Sequence, residues 1–289
     1  MNYLNRLALI EILGLIGNVT IVIGIIVFIA GEKDRRDSEI YQAWQVITAA
    51  HGQRGSGGRI QALEFLNSKP RRNPWFWLTW DRESLTSLEA SEAYLKGIQL
   101  PNADLEDANL QEAILVKANL QEAFLFKANL QKAILFKANL QKAFLLKANL
   151  QKSVLVRANL QKSILVGANL QEANLGEANL QEANLGEANL QNADLERANL
   201  QKSFLGEANL QNANLQNANL QEAFLVGANL QEAILVGVNL KNAFYTDEST
   251  LKVTCQEIYR KYPCFTVFPE NFNPKTAGMK PIKELKDIP

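Results

Sequence analysis

The residues that could act as acids, bases, nucleophiles or metal ligands are few in this chain of 289 residues. One histidine, His51, lies beside a glycine-rich stretch, and the cysteines are Cys255 and Cys264. A catalytic triad or a metal site needs several such side chains at defined spacings, and the sequence contains no such arrangement. It therefore predicts a protein that is not an enzyme and that carries no metal and no cofactor.

A periodic row of charged residues remains for recognition. The basic belt occupies every fifth position: Lys127, Lys132, Lys137, Lys142, Lys147, Lys152, Arg157 and Lys162. Glutamates take over from Glu172 to Glu187. The belt indicates an acidic protein partner or anionic lipid head groups. Alternatively, these residues bind no partner and only form local ion pairs with glutamates, such as Lys152 with Glu172. The net charge is zero, which argues against nucleic-acid binding.

A leucine occupies every fifth position of residues 95 to 240, and a small residue, usually alanine, stands two positions before it. On a helix, steps of five rotate by about 140°, so these leucines would share no face. On an unbroken strand they would alternate between faces. Residues two apart do share a face of an extended segment, so a short extended piece followed by a corner fits the pattern. The sequence therefore predicts a solenoid lined by leucine and alanine.

The run ANLQEANLGEANLQEANLGEANLQNADLERANL, residues 168–200, resembles the pentapeptide-repeat family, whose motif is A(D/N)LXX. The resemblance implies an all-β fold, a right-handed quadrilateral parallel β-helix with four pentads per coil. Some members have a β-helix that resembles DNA in size and charge and bind type II topoisomerases. That function is an alternative here, although the basic belt argues against it. The flanking segments are also similar to those of cyanobacterial members.

Outward positions that lie twenty residues apart should stack in successive coils, and two apolar groups then fall on opposite sides of the rod. These residues are Ile114, Val116, Ile134, Phe136, Val154 and Val156 on one side, and Phe124, Phe126, Phe144, Leu146, Ile164 and Val166 on the other. Apolar residues that the core does not need indicate a contact surface. Alternatively, they merely suit strands. The first reading predicts a scaffold that binds an unknown protein or a second copy, and the second predicts a structural spacer.

Residues 12–31 carry no charge, and about twenty apolar residues at 1.5 Å each can span the hydrocarbon core of a membrane. This segment predicts a transmembrane helix, with a cleaved signal peptide as the alternative. Lys33, Arg35 and Arg36 follow it, whereas only Arg6 precedes it. The positive-inside rule then places the C-terminal domain of a single-pass membrane protein in the cytoplasm.

The predicted organisation has five parts: an N-terminal tail (1–11), the transmembrane helix (12–31), a helical and aromatic linker with the N-terminal cap (32–84), the β-helix (85–245) and a C-terminal cap with a tail (246–289). Hydrophobic spacing in the linker predicts helix, loop, helix. An aromatic group follows, which should seal the core or lie at a membrane interface: Trp75, Phe76, Trp77 and Trp80. Cys255 and Cys264 fall in the C-terminal cap, either reduced or bonded.

Overall fold

The computed structural model describes residues 3–50, 55, 58–68, 82–246 and 265–282. Helix α1 spans Tyr3–Ala49 and helix α2 spans Arg59–Leu66. A long coil of repeated pentads follows, and two short strands, β1 (Phe244–Tyr245) and β2 (Lys280–Pro281), lie at its C-terminal end. His51, the aromatic group from Trp75 to Trp80, Cys255 and Cys264 are outside the described residues.

The pentads wind into a parallel β-helix with twenty residues per coil. Each outward residue pairs with the residue twenty positions later, as Asn129 does with Asn149. The Leu130 amide donates to the Asn149 carbonyl at 2.7 Å, and the Asn149 amide donates to the Ala128 carbonyl at 2.9 Å. Four pentads therefore complete one coil, and the rod has four flat sides.

A tight turn forms each corner of the β-helix. In one example the Ala133 amide donates to the Leu130 carbonyl at 3.0 Å, and Lys132 between them has a φ of 57°. A positive φ at the third turn residue is typical of a type II turn and disfavours residues other than glycine by about 1–2 kcal/mol. Stacking offsets this cost, since the Lys132 amide also donates to the Gln151 carbonyl of the next coil at 2.8 Å.

The core is a column of leucine and alanine, as the repeat predicts. The fifth-position leucines of residues 120–230 have no exposed surface. Burial of each stabilises the fold by about 1.5–3 kcal/mol before the entropy of ordering. Leu63 and Leu66 of α2 join this core at its N-terminal end, together with Ala43 and Ile47 of α1. The helices thus close the first coil.

The C-terminal segment continues two sides of the last coil. Val267 pairs in parallel with Asn229, and β2 pairs in parallel with β1. The Thr266 hydroxyl donates to the Leu225 carbonyl at 2.7 Å, which fixes the returning chain. Residues 265–282 therefore act as a partial additional coil.

The prediction of a transmembrane helix at residues 12–31 is wrong, and so is the prediction of a single-pass membrane protein with a cytoplasmic C-terminal domain. Within the described residues, none of the helices is both long and apolar enough to cross a membrane. α1 continues without a break from residues 12–31 through the charged residues 32–37.

Candidate protein-interaction surface

Two opposite sides of the β-helix are asparagine sides, which carry ladders of amides. On one of them the Asn149 side chain donates to Asn129 Oδ1 at 3.4 Å and accepts from the Gln151 amide at 3.2 Å. Gln151 Nε2 donates to Gln171 Oε1 at 3.1 Å. These bonds join successive coils along the asparagine sides.

The other two sides carry the apolar residues predicted from the sequence. Parallel pairs join Ile114, Ile134 and Val154 on the isoleucine side, and the phenylalanine side has an equivalent row. The rings of Phe124 and Phe144 stack with centroids 4.8 Å apart. Phe124 is 48% exposed and Ile134 is 37% exposed, so neither is needed to fill the core.

The remaining predicted residues of these two sides are half-buried beside those rows: Val116, Phe136 and Val156 on the isoleucine side, and Phe126, Leu146, Ile164 and Val166 on the phenylalanine side. The structure therefore brings all twelve residues together as two strips, the isoleucine strip and the phenylalanine strip. Both strips end one coil later. There the Asn174 and Asn184 side chains accept hydrogen bonds from the amides of Gly176 and Gly186.

Five of the eight residues of the basic belt form ion pairs with glutamates one coil away. The pairs are Lys132–Glu112 (2.9 Å), Lys142–Glu122 (3.2 Å), Lys152–Glu172 (3.4 Å), Arg157–Glu177 (2.8 Å) and Lys162–Glu182 (3.4 Å). Hydrogen bonds from Arg157 hold the pKa of the Glu177 carboxyl below its usual value. Exposed pairs of this kind contribute at most about 1 kcal/mol each. Pairing therefore neutralises much of the belt.

Lys127, Lys137 and Lys147 of the belt have no acidic partner within 4.0 Å among the described residues, and neither has Lys117. These four free lysines follow the strip residues directly in the chain. Lys127 Nζ lies 4.7 Å from the ring centroid of Phe126, and Lys137 Nζ lies 5.2 Å from that of Phe136. The sides that expose apolar groups thus also expose unpaired cations.

Sequence reasoning missed this division because it read the belt as one row around the rod. The signal lies twenty positions earlier or later in the chain, where each paired residue has a glutamate. Lys117, Lys137 and Lys147 have no acidic residue at either spacing. Lys127 has the shorter Asp107 twenty positions earlier, and the two form no ion pair in the described structure.

The sequence matches the family model described as "Pentapeptide repeats", in eight copies, over residues 91–131, 133–171, 163–201, 173–212 and 208–244. These segments together cover more than half of the chain. The protein belongs to the pentapeptide-repeat family. The predicted β-helix is therefore confirmed, and members of this family are in general non-enzymatic structural or interaction proteins.

Several solved structures are similar to this pentapeptide-repeat protein. HetL, involved in heterocyst differentiation regulation in the cyanobacterium Nostoc sp. strain PCC 7120, is 33% identical over 55% of this chain and 88% of its own, with a TM-score of 0.28. Rfr23 of the cyanobacterium Cyanothece 51142 is 49% identical over 29% and 58%, with a TM-score of 0.29. The fluoroquinolone resistance protein QnrB1 is 16% identical over 60% and 88%, with a TM-score of 0.38. No curated protein matches the sequence.

The Glu207 carboxyl of this pentapeptide-repeat protein lies on the phenylalanine side, beyond the strip. Its Oε1 is buried without a hydrogen-bond partner in the described structure. Burial raises the pKa of Glu207 above its ordinary value of 4.5, and the carboxylate of Glu187 adds to the shift. The folded state therefore holds this proton more tightly than the unfolded chain does. The stability that the group contributes is complete below pH 4.5 and is lost as the pH rises through the raised pKa.

We expect Glu207→Gln to make the protein more stable than the wild type at pH 7, because the glutamine cannot ionise in this site. Below pH 4.5 the two proteins should be equally stable. Urea denaturation at both pH values measures the difference, and Glu182→Gln, at an exposed corner paired with Lys162, is the control. A gain that is the same at both pH values would show that ionisation of Glu207 is not its cause.

Proposed function

We propose that this protein is a non-enzymatic rigid scaffold that binds another protein through the isoleucine strip and the phenylalanine strip. One observation supports the proposal above the others. The strips expose apolar side chains that the leucine core does not require, and the lysines that follow them are the unpaired ones. Clustered exposed apolar surface is typical of contact sites.

The side chains of the strips indicate what the partner must present. The partner places apolar side chains on a strip and acidic side chains against the free lysines beside it, since complementary charge gives specificity and a faster encounter. The strips lie on opposite sides of one rod, so a single molecule can hold two partner molecules. A topoisomerase-binding DNA mimic would instead need a strongly acidic surface. A spacer would need no exposed strip at all.

The four free lysines should matter for binding, whereas paired lysines should not. We expect a variant with Lys117, Lys127, Lys137 and Lys147 changed to glutamine to retain far less partner from a cell extract, and its binding to depend less on salt. A matched variant loses the same four charges at Lys132, Lys142, Lys152 and Lys162, all paired with glutamate. Quantitative mass spectrometry of the retained proteins at several salt concentrations compares them.

Equal retention by these two variants would contradict the proposal, because total charge rather than the availability of unpaired lysines would then govern binding. Retention that is unchanged in both variants, together with no loss on altering the strips themselves, would favour the spacer.

A further inference from the structure

Later residues of the chain cover some sides of the last coil of the β-helix and leave another side uncovered. Its side at Asn229 is continued by Val267, and the side of β1 is continued by β2. At the corner after Asn239, the Asn242 amide donates to the Gly278 carbonyl at 2.9 Å, although the Leu240 amide makes no hydrogen bond within the described structure. The isoleucine side, at Ile234, has no following strand in the described part of the chain. This side therefore ends in an open strand edge, residues 233–237.

The open edge has three unused backbone groups. The amides of Leu235 and Gly237 and the carbonyl of Ala233 make no hydrogen bond within the described structure. One coil earlier the corresponding amides are bonded, since Leu215 donates to the Ile234 carbonyl at 3.0 Å and Asn217 donates to the Val236 carbonyl at 2.9 Å. The unused groups thus lie in the register that an additional parallel strand would require.

The side chains of the open edge are also unusually exposed. Ile234 is 48% exposed and Val236 is 65% exposed. Leu235 is only half-buried, unlike the fully buried leucines of the earlier coils. Proteins normally cover or charge such an edge, because an unpaired apolar strand pairs readily with another chain.

The chain itself contains a covered copy of this edge. The sequence EAILV occurs at residues 232–236 and again at residues 112–116, on the same side of the rod. Residues 132–136, KAILF, cover the earlier copy. Ile134 donates to the Ala113 carbonyl at 2.9 Å and accepts from the Leu115 amide at 2.8 Å. Phe136 accepts from the Lys117 amide at 2.9 Å.

The charges are also complementary in the covered copy, because Lys132 Nζ lies 2.9 Å from Glu112 Oε1. At the open edge the equivalent acid is Glu232. It is exposed and has no ion pair among the described residues. The open edge therefore presents an acid, two apolar side chains and three backbone groups in the same order as residues 112–117.

We propose that the open edge binds, in parallel, an extended segment of another protein with the pattern basic, small, apolar, apolar, apolar. Its second and fourth residues point inward and cover Ala233 and Leu235, as the buried Ala133 and Leu135 do in the covered copy. The third residue uses both of its backbone groups, as Ile134 does, so it is not proline. The fifth residue accepts from the Gly237 amide, and the basic residue pairs with Glu232. This is recognition by strand addition, in which the backbone gives affinity and alternate side chains give specificity. It is independent of the two strips.

The test uses the full ¹⁵N-labelled chain and the synthetic peptide LQKAILFKANL, which copies residues 130–140. Amide hydrogen exchange is followed by NMR. Without peptide, the Leu235 and Gly237 amides should exchange like unprotected amides, whereas those of Leu215 and Asn217 should be protected. Saturating peptide should slow exchange at Leu235 and Gly237 at least tenfold.

Two altered peptides and one protein variant test the register. The peptide with proline in place of Ile134 should give no protection. The peptide with glutamate in place of Lys132 should bind the wild type severalfold more weakly and should bind the Glu232→Lys variant better. Equal binding of all three peptides would overturn the proposed register.

Other results would overturn strand addition itself. Protection at Leu235 that is present without peptide and increases with protein concentration would show that a second copy occupies the edge. Protection at all concentrations would show that the edge is satisfied within the chain. Unchanged exchange at saturating peptide would show that the edge does not accept a strand.

Discussion

Leu150→Asp should unfold much of the β-helix. Leu150 lies near the middle of the column of leucines and has no exposed surface. The substitution removes the apolar side chain and buries a carboxylate that has no cation nearby in the leucine column. We expect a loss of at least the roughly 2–5 kcal/mol that Leu→Ala costs in a packed core. The midpoint of urea denaturation, followed by circular dichroism, measures it.

The neighbouring substitution Asn149→Asp is the control. The Asn149 side chain points outward, where its Oδ1 accepts from the Gln151 amide and from Asn169. An aspartate keeps both of these bonds and loses only the 3.4 Å donation to Asn129, so we expect about 1 kcal/mol or less. Asp194 already accepts such bonds in the same position of its pentad, from the Glu196 amide and from Asn214. Equal damage from the two substitutions would show that the inward and outward positions have been assigned wrongly.

Phe124→Ser combined with Phe144→Ser should weaken association by at least tenfold and leave the rod folded. The two rings stack on each other at the surface and not in the leucine core. Each phenylalanine that a partner covers can contribute about 1.5–3 kcal/mol to binding, and tenfold corresponds to about 1.4 kcal/mol. Analytical ultracentrifugation measures association with a second copy, and recovery from extracts measures association with a different protein.

The control for the phenylalanine variant is Asn184→Ser, on the same side but beyond the strip. It removes a side chain that bonds the Gly186 amide, and it should not affect association. Association that is unchanged in the phenylalanine variant would mean that these residues only suit strands, and the spacer function would then be favoured.

The repeat predicted the β-helix well because burial imposes a period on the sequence. A leucine every fifth residue leaves only a coil with regular corners, and the family resemblance supplied the four pentads per coil. Pairing of Lys152 with Glu172 and of Arg157 with Glu177 was considered from the sequence, and both pairs form. The pairs of Lys132 and Lys142 were missed, because each partner glutamate lies twenty residues earlier, at the upper edge of the belt.

Features outside the repeat were predicted less well because they depend on the path of irregular chain. The apolar residues from 12 onward suggested a membrane span when they were read alone, but the helix that contains them runs on through charged residues to Ala49. A second apolar group on the phenylalanine side was also missed. Phe224 and Val226 pack there against Ile282 of the C-terminal segment, which no periodicity connects to them.

Site-specific photo-crosslinking tests the proposed contact surface most directly. Benzoylphenylalanine replaces Phe124 in the phenylalanine strip and, in separate proteins, Asn184 beyond the strip and Asn119 on an asparagine side. Irradiation in cells followed by mass spectrometry identifies the adducts. The scaffold function predicts one specific protein adduct from position 124 and none of that protein from positions 119 or 184. The same adducts from all three positions, or none from position 124, would contradict it.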